Sequence, residues 1–101
     1  MSLVKHDIHP GEILSELYLT PAEMSAGELA SSLGVSREVI ENLIAGNSGI
    51  SPELALRLSR YFSTSPQYWL NMQVNFDLEK ETARIGDDIE TIRPRPIEDA
   101  A

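Results

Sequence analysis

The chain has 101 residues, 42% apolar and 24% charged, with no cysteine and a net charge of -8. This length carries one domain hiding somewhat over ~60% of its unfolded surface, and the balance is that of a soluble globular protein. Disulfides and thiolate metal sites are excluded, and with no apolar run near the ~18 residues of a membrane span and nothing after Lys5 resembling a signal peptide, the expected location is the cytoplasm.

Residues 1-9 read as a loose N-terminal arm. A first helix is expected from Pro10 to about Tyr18, with Ile13, Leu14, Leu17 and Tyr18 inward and Pro21 preventing its continuation. His6 and His9, with Asp7 and Glu12 nearby, have an H-x-x-H spacing. The arm supplies neither a preorganised third ligand nor a second shell, so no metal is expected there.

Ser25 to Gly46 reads as two short helices joined by a tight turn. Ser25 and Glu28 form a capping box, and Leu29, Ala30 and Leu33 follow at helical spacing. Gly34 can take the left-handed conformation that closes this helix, and Ser36 can cap a second one with Val39, Ile40 and Leu43 on one face. Ala30 at a close crossing, Gly34 four residues on, Val35 at the turn, and Ile40 and Leu43 as inward plugs together describe a helix-turn-helix. The alternative is an ordinary helical hairpin inside a small bundle.

In a helix-turn-helix the second helix enters the major groove, and its first and outward residues meet bases and phosphates. Here those are Ser36, Arg37, Glu38, Glu41 and Asn42. Arg37 suits a guanine edge and Asn42 an adenine, whereas Glu38 or Glu41 can accept only from a cytosine amino group. Between Glu38 and Leu56 there is no Lys or Arg. Phosphate contacts then fall to Ser36, Asn47, Ser48, backbone amides and the helix starts near Ser25 and Ser51. Such contacts release few counterions and support weaker, less salt-sensitive binding. The acidic surplus either lines solvated faces or attracts a basic protein partner.

Asn47-Ser48-Gly49 is a turn, and Ser51-Pro52-Glu53 starts a fourth helix with Leu54, Ala55, Leu58, Tyr61 and Phe62 inward. Ser65-Pro66 starts a fifth, expected to run to about Arg84 and to end at Gly86-Asp87-Asp88. Residues 85-101, with Pro94 and Pro96 among arginines and then acids, read as a flexible, extended tail. On the fifth helix Trp69, Met72 and Phe76 share one arc of roughly 60°, and Leu70, Val74 and Leu78 share another. Two apolar arcs imply two partners, the domain's own core and a second subunit. Tyr68, Trp69, Met72 and Phe76 are the expected dimer face. The alternative cover is the tail itself, folding back from Ile85 with Ile89, Ile92 and Ile97.

No catalytic constellation accompanies these features: there is no glycine-rich phosphate loop and no H-E-x-x-H. Neither an enzymatic role nor a cofactor is expected.

His9-Pro10-Gly11-Glu12-Ile13-Leu14, the helix-turn-helix, Ala55-Leu56-Arg57-Leu58, Thr64 to Gln73 (TSPQYWLNMQ) and Asp77-Leu78-Glu79-Lys80 resemble the HigA-type antitoxins of type II toxin-antitoxin systems, the plasmid maintenance antidotes. The resemblance covers residues 9-80, and its opening and Trp-Leu-Asn blocks are more specific than the helix-turn-helix, which many XRE- and Cro-type repressors share. It implies an all-α, five-helix, lambda-repressor-like domain over residues 10-84 that dimerises. It further implies repression of its own operon through a palindromic operator and neutralisation of a HigB-type mRNA-cleaving toxin. The alternative function is a protein-interaction module, or orphan regulator, that keeps the fold with little or no DNA binding.

Overall fold

Five helices succeed one another, with no strand among the described residues 8-96 of the computed structural model. Most of the expected arm, His6, Asp7 and Ile97 lie outside those residues.

The first helix, α1, spans residues 10-22 as α-helical Pro10–Ile13, π-helical Leu14–Leu19 and α-helical Thr20–Ala22. His9 caps it, Nδ1 accepting from the Gly11 N–H at 2.9 Å, and Pro10 occupies the first turn, where no amide donor is needed. The π turn corrects two expectations. The helix continues through Pro21, because carbonyls out of the ordinary i→i+4 register relax the clash that a proline ring provokes. The buried residue after Leu14 is Leu19, with Tyr18 packing on the core beside it and Leu17 62% exposed: a turn closed from Thr20 N–H to the Ser15 carbonyl puts residues five apart on one face. The helix stops at Glu23, whose φ of 52° is left-handed.

Helix α2, Ala26–Leu33, begins at the expected capping box: Ser25 Oγ accepts from the Glu28 N–H at 3.1 Å and Glu28 Oε1 from the Ser25 N–H at 2.8 Å. Gly34 closes it at φ 76°, and Arg57 Nη1 donates to the Leu33 carbonyl at 2.8 Å, bringing positive charge to the helix C-terminus. Helix α3, Arg37–Ile44, is capped by Ser36 and buries Ile40 and Leu43. Val39, expected inward, is 40% exposed. At ~100° per residue it lies about 40° beyond Leu43 on the side away from Ile40, so it falls at the edge of the buried stripe.

Helix α4, Pro52–Phe62, is capped by Ser51 and buries Leu54, Ala55 and Leu58, while Tyr61 is exposed instead of inward. Helix α5, Pro66–Glu90, overruns its expected end. A glycine inside a helix costs about 0.5–1 kcal/mol relative to alanine, a weakening and not a stop. Gly86 is therefore an interior residue and the chain leaves the helix at Thr91, whose hydroxyl donates to the Asp88 carbonyl at 2.6 Å.

The core gathers Leu14, Leu29, Ile40, Leu43, Leu58 and Trp69, all fully buried. Helix α1 reaches α3 so closely that a Cβ on Gly11 would stand 1.8 Å from the Leu43 carbonyl oxygen. Trp69 packs among Tyr18 and Phe62, ring centroids 5.1 and 6.0 Å away, and its indole N–H donates to the Thr64 hydroxyl at 2.7 Å. The arc of Trp69, Met72 and Phe76 is thus the inward face of α5: Trp69 has no surface to offer a second subunit, Met72 packs on the core, and Phe76 meets the His9 ring edge-on at 4.9 Å. On the other arc Leu70 packs on the core, and only Val74 and Leu78 are left exposed. Ile89 and Ile92 are exposed as well, so among the described residues no tail folds over it. The far half of α5 runs past the core and draws the molecule out to 54 × 30 × 28 Å.

Candidate nucleic-acid interface

Helix α3 is seated from below and bare above. Ile40 and Leu43 fix its depth and rotation, and α1 bears on its last turn at Leu43. Ser36, Arg37, Glu38, Glu41 and Asn42 are all exposed on its outer side, and Asn47 and Ser48 are exposed in the loop that follows. All seven positions read from the sequence as nucleic-acid contacts are therefore exposed.

The side chains on that face are partly committed. Ser36 Oγ accepts from the Val39 N–H at 3.3 Å, which leaves its hydroxyl hydrogen to donate outward. Arg37 Nε donates to Glu41 Oε2 at 2.7 Å, one helical turn on. Glu38 makes no ion pair among the described residues.

An open groove separates α3 from the start of α4, lined by Val35, Val39, Asn42, Ser48, Glu53 and Arg57 among others. Two of these escaped the sequence reading. Val39 was expected in the core. Arg57 lies just past the cation-free stretch, yet its Nε donates to Glu53 Oε2 at 3.1 Å and its Nη1 to the Leu33 carbonyl, standing it beside the helix-turn-helix. The i,i+4 spacing of Glu53 and Arg57 was the available signal.

The loop at 47-50 is tied to α5. The Ile50 N–H donates to Gln73 Oε1 at 2.8 Å, and Gln73 Nε2 donates in turn to Asp77 Oδ1 at 3.0 Å. A Cβ on Gly49 would sit 2.7 Å from Gln73 Oε1, so a side chain there would push the Gln73 amide away from the loop.

The face carries both signs. Arg37 and Arg57 are each paired with a carboxylate, and all four side chains of the two pairs are substantially exposed. Exposed pairs of this kind contribute about 0–1 kcal/mol and are screened by salt, so either guanidinium can exchange its carboxylate for a phosphate or a base edge. The acids Glu38, Glu41 and Glu53 outnumber them.

Away from this face, Tyr18 donates to the Tyr68 hydroxyl at 2.9 Å. Burial first, then this hydrogen bond and the nearby phenol, push the Tyr18 hydroxyl up to about 12. Tyr68 is itself exposed and leans on Trp69 at 5.1 Å. His9 is committed as a helix cap, and no group of three or more His, Asp or Glu arranged to hold a metal occurs among the described residues. No helix among them is long and apolar enough to cross a membrane.

Residues 16–69 match the family model described as Helix-turn-helix. Virulence-associated protein I of Dichelobacter nodosus is 50% identical over 72 residues, spanning 71% of this chain and 67% of that protein. Among solved structures, the Pseudomonas aeruginosa antitoxin HigA with the higBA promoter superposes with a TM-score of 0.85 at 38% identity, covering 89% of this chain and 99% of the other. The antitoxin GraA in complex with its operator superposes with a TM-score of 0.84 at 37% identity, covering 97% and 99%.

Proposed function

Since the chain belongs to the helix-turn-helix family and, within it, to the HigA-type antitoxins, we propose that it binds the operator of its own operon as a homodimer. We read it as a repressor that also neutralises a HigB-type mRNA-cleaving toxin. It works in the cytoplasm, where that DNA lies, and performs no catalytic step. The observation that carries this reading is the close superposition on two relatives solved with their promoter or operator, over nearly their whole length. The exposed outer side of α3 supplies the matching chemistry.

In this reading Arg37 and Asn42 face base edges, while Ser36, Asn47 and Ser48 take phosphates. Glu38 approaches the duplex without a partner and weakens all DNA binding alike. The second subunit covers the outer arc of α5. Leu78, Thr82, Ile85 and Ile89 recur at steps of four, three and four, the spacing of a helix-helix seam, along a rod that outruns its own core. A seam of this kind is self-complementary about a two-fold axis, which an operator palindrome mirrors.

The test is a titration of the chain against its own upstream DNA and against scrambled DNA, with and without the product of the neighbouring gene. Retardation of the upstream fragment at lower protein concentration than the scrambled one is the expected result. Equal, weak retardation of both under all conditions would refute repression and favour a protein-interaction role, to which the surplus of acids on the outer face is suited.

A further inference from the structure

The ion pair on the reading helix has an orientation that matters. Glu41 engages Arg37 through Nε alone, at 2.7 Å, and no hydrogen bond among the described residues uses either terminal nitrogen of that guanidinium. The stem of Arg37 lies against Gly27 at the start of α2, its Cδ 3.6 Å and Nε 4.0 Å from where a Cβ of Gly27 would be. The side chain, 74% exposed, thus passes beside Gly27 and is engaged at Nε, with its fork left to solvent.

A guanidinium offers five N–H groups in one plane, and a guanine edge accepts two of them at O6 and N7. Those two can come side-on, from Nε and one terminal nitrogen, or end-on, from both terminal nitrogens. While Nε is engaged by Glu41, the end-on pair is the one left free.

Resting on the operator-binding reading above, we infer that Glu41 is a positioning residue for Arg37. It sets the guanidinium for end-on reading of one guanine per half-site and so sharpens specificity while its own charge weakens affinity for DNA at large. The two acids of α3 then have different roles. Glu38 has no partner and only repels, whereas Glu41 exchanges overall affinity for discrimination.

The experiment measures Kd for the upstream operator, for scrambled DNA, and for operator duplexes in which each guanine in turn is replaced by 7-deazaguanine, which lacks the N7 acceptor. The wild-type chain is expected to lose about tenfold in affinity at one guanine of each half-site, and Arg37→Ala to abolish that penalty. Glu41→Ala should bind scrambled DNA several-fold more tightly yet show a penalty below about twofold at the same guanine. Glu41→Gln keeps a neutral acceptor for Nε and should retain most of the penalty. This rescue separates positioning from simple charge removal, because both variants delete the same charge. A tenfold penalty undiminished in Glu41→Ala would overturn the inference and leave operator recognition standing. So would a penalty lost equally in both Glu41 variants. Failure of the wild-type chain to prefer the operator over scrambled DNA would overturn the functional reading and this inference together.

Discussion

Replacing Gly11 by alanine adds one methyl group where α1 crosses the last turn of α3. That methyl would stand 1.8 Å from the Leu43 carbonyl oxygen and 2.6 Å from its carbon, against 3.4–4 Å for ordinary contact. Both atoms are backbone, so no rotamer change relieves the clash, and the two helices must part by more than an ångström. Overpacking of this kind costs about 1–3 kcal/mol, and with rigid backbone on one side the upper end applies. For a domain of this size each kcal/mol moves the melting temperature by about 4–8 °C, which places the Gly11→Ala loss near 15 °C. Gly86→Ala is the internal control. It lies in the exposed half of α5 with nothing within 4 Å of the added Cβ, so helix propensity alone acts and the variant should gain about 0.5–1 kcal/mol. Thermal unfolding followed by helical circular dichroism reads both. Because Leu43 belongs to the reading helix, the Gly11 variant should also bind operator less well than its residual folded fraction explains. A Gly11→Ala protein melting within about 2 °C of the wild type would refute the close crossing, and with it the account of how α3 is seated.

Trp69→Ala removes the largest fully buried side chain and strands the Thr64 hydroxyl, so it should cost about 3–5 kcal/mol, read as a lower urea midpoint with an unchanged slope. Glu38→Gln should tighten binding to operator and scrambled DNA by similar factors. A loss confined to the operator would instead mean that Glu38 accepts from a cytosine amino group. Leu78→Lys should shift sedimentation at tens of micromolar towards monomer and make the melting temperature less dependent on protein concentration, and a dimer that survives it would place the subunit contact elsewhere. The Tyr18 hydroxyl, raised to about 12 when folded, favours the folded state fully below the unfolded value near 10, and that contribution is lost as pH climbs through the folded value. Between about pH 9 and pH 12 the wild type should therefore lose urea resistance faster than Tyr18→Phe, and parallel curves would show that this phenol is not perturbed.

The helix starts were legible because each rests on chemistry local to a few residues. Ser25 with Glu28, Ser36, Ser51 with Pro52, and Ser65 with Pro66 all cap the helices expected of them. Ends were harder to read. Pro21 and Gly86 have the composition of stops, but a stop depends on whether the surrounding backbone can absorb the defect, through a π turn in one case and a small propensity cost in the other. That same π turn shifted the buried face from Leu17 to Leu19, which no fixed 3.6-residue period anticipates. Apolar patterning found both arcs of α5 but put the dimer face on the one that carries the buried Trp69, since Trp69 and Leu78 differ in what lies across from them and not in hydrophobicity. On the candidate interface, the exposed polar positions of α3 followed directly from register. The groove-side placement of Val39 and Arg57 did not, because it depends on α4 packing beside α3 and on the reach of a long side chain to a distant carbonyl.

Gln73 gives the molecule a mechanical property. Its amide grips the Ile50 N–H on one side and Asp77 on the other, so the 47-50 loop is bolted to the first third of a rod whose far half is free of the core. A partner that displaced α5 would therefore carry the 47-50 loop with it through the Ile50–Gln73 hydrogen bond. The strength of that transmission is bounded by how differently the partner binds the two positions of the rod.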